Sequence, residues 1–292
     1  MNTALIQRPQ RLARQNGLVL LALVNLGVST LQGGLEVVRE PEPQAVFAGQ
    51  PRPIRVSLRN TGEKAVECDA RVRILQTTSA TAVQISDAPW KRIQVLPAQT
   101  IAETVSLEFP VVKAETPFLI QWLEGTNRIF GRTEVLVYPP DLLKELKPLT
   151  GDEDGALGLF DPLNQLKLLV KNVKVDFADL EDAGLESFRG KLAIIGPFDS
   201  KKQMREGLAE QIQKLARKGV AVVWIQPPPE KRGKLEPSFY TVPEGTNSVV
   251  IVQAGLVSDL PNSPQAQLNL IQFARLALNP EPVRLPHLTP QP

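Results

Sequence analysis

The sequence of 292 residues is very poor in cysteine and histidine, with one of each, Cys68 and His287. One cysteine excludes an intrachain disulfide framework, and the shortage of both residues excludes a Cys/His zinc site and leaves little for Cys–His or Ser–His catalysis. An excess of charge is also lacking, because 33 Lys and Arg nearly cancel 31 Asp and Glu to give a net charge of +2. Nucleic acid is therefore not an expected partner.

The overall composition is that of a globular protein, with 42% hydrophobic and 22% charged residues. The length suits two domains. From the patterns described below we expect an N-terminal all-β immunoglobulin-like sandwich and a C-terminal doubly wound α/β domain with a parallel sheet. The predicted segments are a signal peptide or apolar N-terminal segment (1–34), the sandwich (35–138), a linker (139–154), the α/β domain (155–280) and a Pro-rich tail (281–292).

The N-terminal segment has the basic, apolar, small order of a signal peptide. Arg8, Arg11 and Arg14 precede an apolar run, Leu18–Leu26, and glycines and serine follow it. A short apolar helix behind a positive end is what export requires, so we expect an exported protein, periplasmic or extracellular. The alternative is that the run packs inside a cytoplasmic protein. The 14 residues of Leu18–Leu31 are too few for a membrane span, which needs about 20.

The next hundred residues alternate between apolar and polar, as half-buried strands do. In Ile54–Asn60 every second residue is apolar, and Thr61-Gly62-Glu63 marks a turn. Similar runs separated by turn residues favour a two-sheet sandwich. The predicted strands are Leu35–Arg39, Ile54–Asn60, Glu67–Gln76, Trp90–Val95, Ile101–Phe109, Phe118–Glu124 and Arg132–Tyr138.

Two segments at the start of this region carry a resemblance to a family. Val46-Phe-Ala-Gly-Gln-Pro51, followed by Ile54-Arg-Val-Ser-Leu-Arg-Asn-Thr-Gly62, resembles the opening of bacterial extracellular immunoglobulin-like domains of the CARDB kind. The resemblance implies a role in adhesion or spacing. Trp90 and Trp122 are candidate ligand contacts, since flat indoles stack on sugar rings, although core packing is the usual fate of a strand tryptophan.

Beyond the linker the pattern changes to apolar strands alternating with helices, which predicts a parallel sheet covered on both faces. Ligands in such sheets bind at the carboxyl ends of the strands, near a switch in strand order. The predicted elements are strands at Ala156–Phe160, Val173–Phe177, Lys191–Pro197, Val220–Ile225 and Ser248–Gln253, and helices at Pro162–Lys171, Lys201–Lys218 and Ala266–Leu278.

The strand Lys191–Pro197, the helix Leu208–Lys218 and the strand Val220–Ile225 resemble the class I glutamine-amidotransferase-like fold, especially its inactive bacterial versions. An active member of that family has a cysteine in a sharp turn soon after the last of these strands. This chain has Gln226-Pro-Pro-Pro there, and His287 lies in the Pro-rich tail. The resemblance therefore implies a domain without glutaminase activity, in which Gln226 remains a candidate ligand contact.

Other site patterns fail on their spacing. Gly184-Leu-Glu-Ser-Phe-Arg-Gly190-Lys191 has five residues between its glycines and Leu192 in place of Ser or Thr, so it is not a P-loop. Asp152-Glu153-Asp154 lacks the EF-hand pattern. No Gly-x-Gly-x-x-Gly follows a strand. We therefore expect no cofactor and no metal.

Three carboxylates remain, because Asp161, Asp179 and Asp199 each follow a predicted strand. On one rim they would raise each other's pKa and supply an acid and a base, as in a carbohydrate-active or other hydrolase. Asp after a strand is also a common helix N-cap, which we favour. The leading expectation is thus a non-catalytic binding or scaffold protein whose partner is another protein or a cell-surface polymer. The hydrolase is the alternative, and a spacer fragment of a larger polypeptide is a third. No pattern specifies an oligomeric state.

Overall fold

The computed structural model describes residues 34–151, 155–198, 200–227, 238–244, 247–253 and 259–280. These residues form two units, with the main boundary between Pro140 and Asp141. The first is an all-β unit and the second an α/β unit, as the sequence patterns predict. The signal-like segment, the 152–154 acidic cluster, Asp199, His287 and the predicted tail lie outside the described residues.

The β unit has eight described strands in two sheets. One sheet has the order β1-β3-β6 and the other the order β2-β8-β7-β4-β5. The strands are β1 (Leu35–Val37), β2 (Gln44–Phe47), β3 (Pro51–Asn60), β4 (Val66–Thr77), β5 (Ala82–Val95), β6 (Thr100–Glu108), β7 (Thr116–Glu124) and β8 (Arg128–Tyr138).

The inner faces of the two sheets share one core, and the alternating pattern of the sequence explains it. Ile54, Val56 and Leu58 of β3 are buried, whereas the residues that alternate with them are exposed or half-buried. The three side chains join Val72 of β4 and Ile120 of β7 in the same cluster. Since successive strand residues point to opposite faces, β3 contributes every second side chain to this core. Burial of that surface stabilises the unit by about 25 cal/mol per Å² of apolar area.

The β unit differs from the expectation at two strands. Strand β2, which the sequence pattern did not reveal, pairs in parallel with β8, so that Val46 lies opposite Val137. Strand β5 begins at Ala82 and not at Trp90, because it pairs with β4 over most of its length, with two register shifts.

The described residues of the α/β unit form a six-stranded sheet and five α-helices. Its strands are β9 (Leu157–Phe160), β10 (Ala178–Asp179), β11 (Leu192–Ile195), β12 (Ala221–Gln226), β13 (Ser238–Glu244) and β14 (Asn247–Gln253). Its helices are α1 (Leu146–Thr150), α2 (Gln165–Asn172), α3 (Leu180–Ala183), α4 (Leu208–Arg217) and α5 (Pro264–Leu278), with 3-10 turns at Leu142–Glu145, Leu185–Ser187 and Lys201–Gln203. In the described part of the chain, no helix combines the length and apolar character needed to cross a membrane.

The order of the sheet is β10-β9-β11-β12-β14-β13. Four neighbouring pairs are parallel, and β13 pairs with β14 in the antiparallel sense. The sheet is therefore mixed, not purely parallel as expected. Among the described strands, one border is the two-residue strand β10, and the other is β13, which contains Pro243. All residues of β9 and β11 are buried, which explains their continuous apolar sequences.

Three local predictions need correction. The predicted helix Lys201–Lys218 is a 3-10 turn followed by α4, because Gly207, with φ of 76°, interrupts it. Val173–Phe177 is not a strand, since α2 ends in a turn where Lys174 has φ of 59°, and β10 begins only at Ala178. The predicted linker 139–154 contains helical turns at 142–150, where three leucines are buried: Leu142, Leu143 and Leu146.

Candidate functional site

The candidate site is the carboxyl edge of the α/β sheet at the switch in strand order. From β9 the chain goes to β10 on one side and then to β11 on the other. When the connections from two neighbouring parallel strands run to opposite sides of the sheet, a crevice forms at the carboxyl ends of these strands. Ligands of such sheets usually bind there. Strand β9 ends at Phe160 and β11 at Ile195, which lie opposite each other in the sheet. Asp161 therefore lies at the switch point.

Asp161 is fully buried at the start of α2. Its Oδ2 accepts hydrogen bonds from the backbone N–H groups of Leu166 at 2.7 Å and Lys167 at 2.9 Å. The N-cap residue of α2 is Asn164 and not Asp161 as expected, because α2 begins only at Gln165; the Asp161 carboxylate nevertheless accepts the N–H groups of the first turn. Its Oδ1 makes no hydrogen bond with a described residue. Burial raises the pKa of the Asp161 carboxyl, and the backbone N–H groups of Lys167 and Leu166 only partly offset that effect.

The side chain of Lys167 is 10% exposed and bridges two acids. Its Nζ lies 2.7 Å from Oδ2 of Asp179 and 2.5 Å from Oε1 of Glu181. Burial alone would lower the pKa of Lys167, but the hydrogen bonds and charges of the two carboxylates outweigh it, so that the net change is upward. The ammonium therefore stays charged. No sequence pattern pointed to Lys167 or Glu181 as part of the site.

Asp179 is the N-cap of α3, and its Oδ1 accepts the backbone N–H of Glu181 at 3.0 Å. Partial burial alone would raise the pKa of Asp179. The ammonium of Lys167 and the backbone N–H of Glu181 together have a larger, opposite effect, so the pKa of Asp179 is lowered overall. Glu181 Oε1 also accepts the backbone N–H of Asp161 at 3.2 Å. Asp161, Lys167, Asp179 and Glu181 thus form one cluster, which we call the rim cluster.

Two further residues, Arg205 and Gly196, contact Phe160 at the end of β9. The guanidinium of Arg205 lies over the Phe160 ring, 4.9 Å from its centroid, and donates to Gln211 Oε1 at 2.7 Å. Gly196, which follows β11, has φ of 98°, and its N–H donates to the Phe160 carbonyl at 2.8 Å. A Cβ on Gly196 would come within 2.4 Å of the Ile225 carbonyl oxygen, so the position requires glycine.

The remaining candidate residues do not join this cluster. Gln226 ends β12, which β11 separates from β9, and it is half-buried opposite Gln253 in β14. In the β unit, Trp122 is fully buried and donates from Nε1 to Thr133 Oγ1 at 2.9 Å. Trp90 is half-buried against it, with ring centroids 5.1 Å apart. Trp90 is therefore the only indole of the pair with exposed surface.

The chemistry open to the rim cluster is proton binding and charge pairing. No group of three or more His, Cys, Asp or Glu side chains within the described residues has an arrangement suited to a metal ion. In the rim cluster the ammonium of Lys167 takes the position between carboxylates that a cation would occupy. Cys68 is buried in the β unit, where burial raises the pKa of its thiol.

Comparison with models of protein families gives no match. Comparison with curated protein sequences gives no significant match. Among solved structures, the chain is similar to a β-glucosidase from Listeria innocua in complex with glucose, with 13% identity and a TM-score of 0.26 over 37% of this chain and 16% of that one. A β-glucosidase from Kluyveromyces marxianus matches with 13% identity and a TM-score of 0.24 over 37% of this chain and 14% of that one.

The CARDB domain of a Pyrococcus furiosus protein, in complex with di-metal ions, matches with 15% identity and a TM-score of 0.24 over 38% of this chain and 99% of that domain. The chain thus spans about one sixth or less of the length of the two β-glucosidases that it matches. These similarities assign the chain neither to a family nor to an activity.

Proposed function

We propose that the chain is a non-catalytic binding or scaffold protein that contacts another protein or a surface polymer. In this proposal the β unit is a CARDB-like, immunoglobulin-type domain and the α/β unit an inactive amidotransferase-like domain. The sequence supports the loss of activity, because Gln226-Pro-Pro-Pro stands where that family places its nucleophile. A glutaminase needs a thiol on an exposed turn and a base beside it.

The observation that carries the proposal is the engagement of the carboxylates at the switch point. Asp161 Oδ2 and Asp179 Oδ1 accept backbone N–H groups, and Asp179 Oδ2 pairs with Lys167. A glycoside hydrolase needs one carboxyl group that gives a proton and another that activates water or attacks the sugar. Asp179 and Glu181 both face an ammonium, and the net pKa of Asp179 is lowered. These groups support the local fold.

One observation favours the hydrolase alternative. Asp161 Oδ1 is buried without a hydrogen-bond partner among the described residues, and burial raises the pKa of this carboxyl. A carboxylic acid that keeps its proton in an apolar pocket is the usual general acid of glycoside hydrolysis. In that alternative Asp161 would protonate the leaving oxygen, and another carboxylate would have to lie on the opposite side of the bond.

Assays of turnover and of binding on the purified full chain distinguish the hydrolase hypothesis from the binding hypothesis. We expect no turnover of aryl glycosides or aryl esters, together with retained binding to a polysaccharide on a glycan array or to a defined protein partner. Asp161→Asn is compared with Asp176→Asn, an exposed acid near the rim cluster. Turnover that disappears in Asp161→Asn and persists in Asp176→Asn would contradict the proposal.

Export forms a separate part of the proposal, resting on the basic and apolar order of residues 8–26. When the full chain is expressed in a bacterium with a periplasm, we expect it in the periplasmic fraction, with a new N-terminus near residue 34. Replacing Leu20 and Leu21 by Asp should keep it in the cytoplasm. Intact protein in the cytoplasmic fraction would contradict export without affecting the binding role.

A further inference from the structure

We propose that the α/β unit carries a second site, at the amino edge of its sheet, for a small organic anion with a compact apolar body. A cavity of about 400 Å³ lies there, before the first residues of β11 and β12. Its volume lies in the range of ordinary small-molecule sites. The rim cluster lies at the opposite, carboxyl edge, so this site does not depend on the function proposed above.

Three cations line the cavity: Arg189, Lys191 and Lys218. All three are exposed, and no carboxylate is among the described residues that line the cavity. Like charges around one cavity repel one another, and a bound anion relieves that repulsion. The arrangement therefore favours a ligand with a carboxylate or phosphate group.

The contacts of the cations leave donors for a ligand. Arg189 Nη1 and Lys218 Nζ each donate to the carbonyl oxygen of Glu186 at 2.9 Å, which holds them close to each other. Lys191 Nζ lies beside Gly151, where an added Cβ would be 2.9 Å from it, and it donates to no acceptor among the described residues. Lys218 also offsets the negative end of α4, and Arg189 bonds a carbonyl of the 3-10 turn Leu185–Ser187, so each has a structural role besides lining the cavity. Lys191, on the connection to β11, caps no described helix.

The backbone that presents Arg189 and Lys191 is fixed by close packing. A Cβ on the intervening Gly190 would approach the carbonyl oxygens of Gly155 and Ala156 to 2.6 and 2.7 Å. The N–H of Lys191 donates to the Ala156 carbonyl at 2.8 Å, and its carbonyl accepts from Ala221. A preorganised backbone lowers the entropic cost of binding. This geometry differs from a P-loop, because side chains and not helix N–H groups would hold the anion.

The rest of the cavity wall is apolar. Phe188 and Val220 are buried there, and Leu278, the last residue of α5, is half-buried. An inorganic ion would leave this surface in contact with water, whereas a ligand with a small ring or a short chain would cover it. We therefore infer an anionic head held by the three cations and an apolar body against these side chains.

Phenyl phosphate and benzoate are suitable probes, with inorganic phosphate and phenol as half-ligands. We expect at least one of the two probes to bind more tightly than both half-ligands in calorimetry or NMR titration at low salt, with shifts at the amides of Gly190 and Lys191. Comparison of the two probes shows whether phosphate or carboxylate is preferred. Failure of both probes to bind more tightly than the half-ligands would overturn the proposal.

Substitutions of the lysines that line the cavity test whether the probe binds there. Lys191→Gln and Lys218→Gln should each weaken binding of the better probe about tenfold, because each removes one charged donor. Lys214→Gln is the matched control: it removes the same charge from an exposed lysine that pairs with Glu186 but does not line the cavity. Equal weakening in Lys191→Gln and Lys214→Gln would indicate a general charge effect and would overturn the site. Thermal unfolding confirms that each variant is folded.

Discussion

Asp161 accepts a hydrogen bond from the backbone N–H of Lys167 at 2.9 Å, while the side chain of Lys167 pairs with two other carboxylates. One lysine thus connects the end of β9 to β10 and α3 through both its backbone and its ammonium. The carboxyl edge of this sheet is held by charge pairing as well as by apolar packing.

Lys167→Met tests the structural role of the rim cluster. The change removes the cation between Asp179 and Glu181 and leaves two close carboxylates, each about one third exposed. We expect the free energy of unfolding to fall by about 1 to 3 kcal/mol, less than for a fully buried pair because solvent screens these groups. Urea denaturation measures this loss. Lys171→Met, an exposed lysine on the same helix, should have little effect, and an equal loss in both variants would contradict the prediction.

Two acids, Asp161 and Asp179, should change the stability of the fold in opposite directions as the pH rises. The pKa of Asp161 is raised in the folded state, so its contribution to stability decreases as the pH rises from the unfolded pKa of about 3.9 through the folded pKa. The pKa of Asp179 is lowered, so its contribution is present above about pH 3.9 and is lost as the pH falls through the folded pKa.

Asp161→Asn removes the titration of this carboxyl group and keeps a side-chain oxygen that can accept the N–H groups of α2. We expect the stability of this variant relative to the wild type to increase as the pH rises through the folded pKa of Asp161. Urea unfolding of both proteins between about pH 3 and pH 8 gives the difference. A difference that stays constant over this range would show that Asp161 titrates as it does in the unfolded chain.

Gly196→Ala should be much more destabilising than Gly207→Ala. Both glycines have positive φ, 98° and 76°, so both substitutions place a side chain in a strained backbone conformation, at a cost of about 1 to 2 kcal/mol. Only at Gly196 would the new Cβ meet a backbone oxygen, whereas nothing lies within 4 Å at Gly207. We expect an additional loss of about 1 to 3 kcal/mol for Gly196→Ala in chemical denaturation. Equal losses would refute the close approach.

Thr133→Val should destabilise the β unit. Thr133 Oγ1 accepts the hydrogen bond of the fully buried Trp122 indole, and valine has a similar shape but no acceptor. A buried donor without a partner costs about 1 to 3 kcal/mol. Thermal or urea unfolding of the full chain should show this loss, and Thr104→Val, on the exposed face of β6, should not.

Most strands of the β unit were predictable because one of their faces is buried, whereas the first half of β5, Ala82–Pro89, is mostly exposed and was missed. Alternation identified seven of the eight strands described there, including the strand of Ile54, Val56 and Leu58. Strand β2 was missed because its four residues, ending in Val46 and Phe47, precede a glycine turn and are too few to show a period. Strand β13 was missed as well. Its antiparallel pairing with β14 depends on contacts made in the folded sheet, which local composition does not encode.

The candidate site was predictable only in part. Asp161 and Asp179 stood out because they follow strands, and both accept backbone N–H groups at the start of a helix. Lys167 was missed because a helix lysine usually lies in solvent. Its place between the buried Leu166 and Val170 was the available signal, together with one acid at the end of the next strand, Asp179, and another just after it, Glu181. The pairing itself depends on the sheet order, which brings β10 beside β9.

The borders of the six-stranded sheet have a consequence for how the protein behaves at high concentration. Strand β10 offers only two residues to a passing chain, and β13 includes Pro243, which has no N–H group to donate. Short or proline-containing borders are poor templates for strand addition, so among the described strands of this sheet we expect neither border to favour edge-to-edge aggregation or fibre growth.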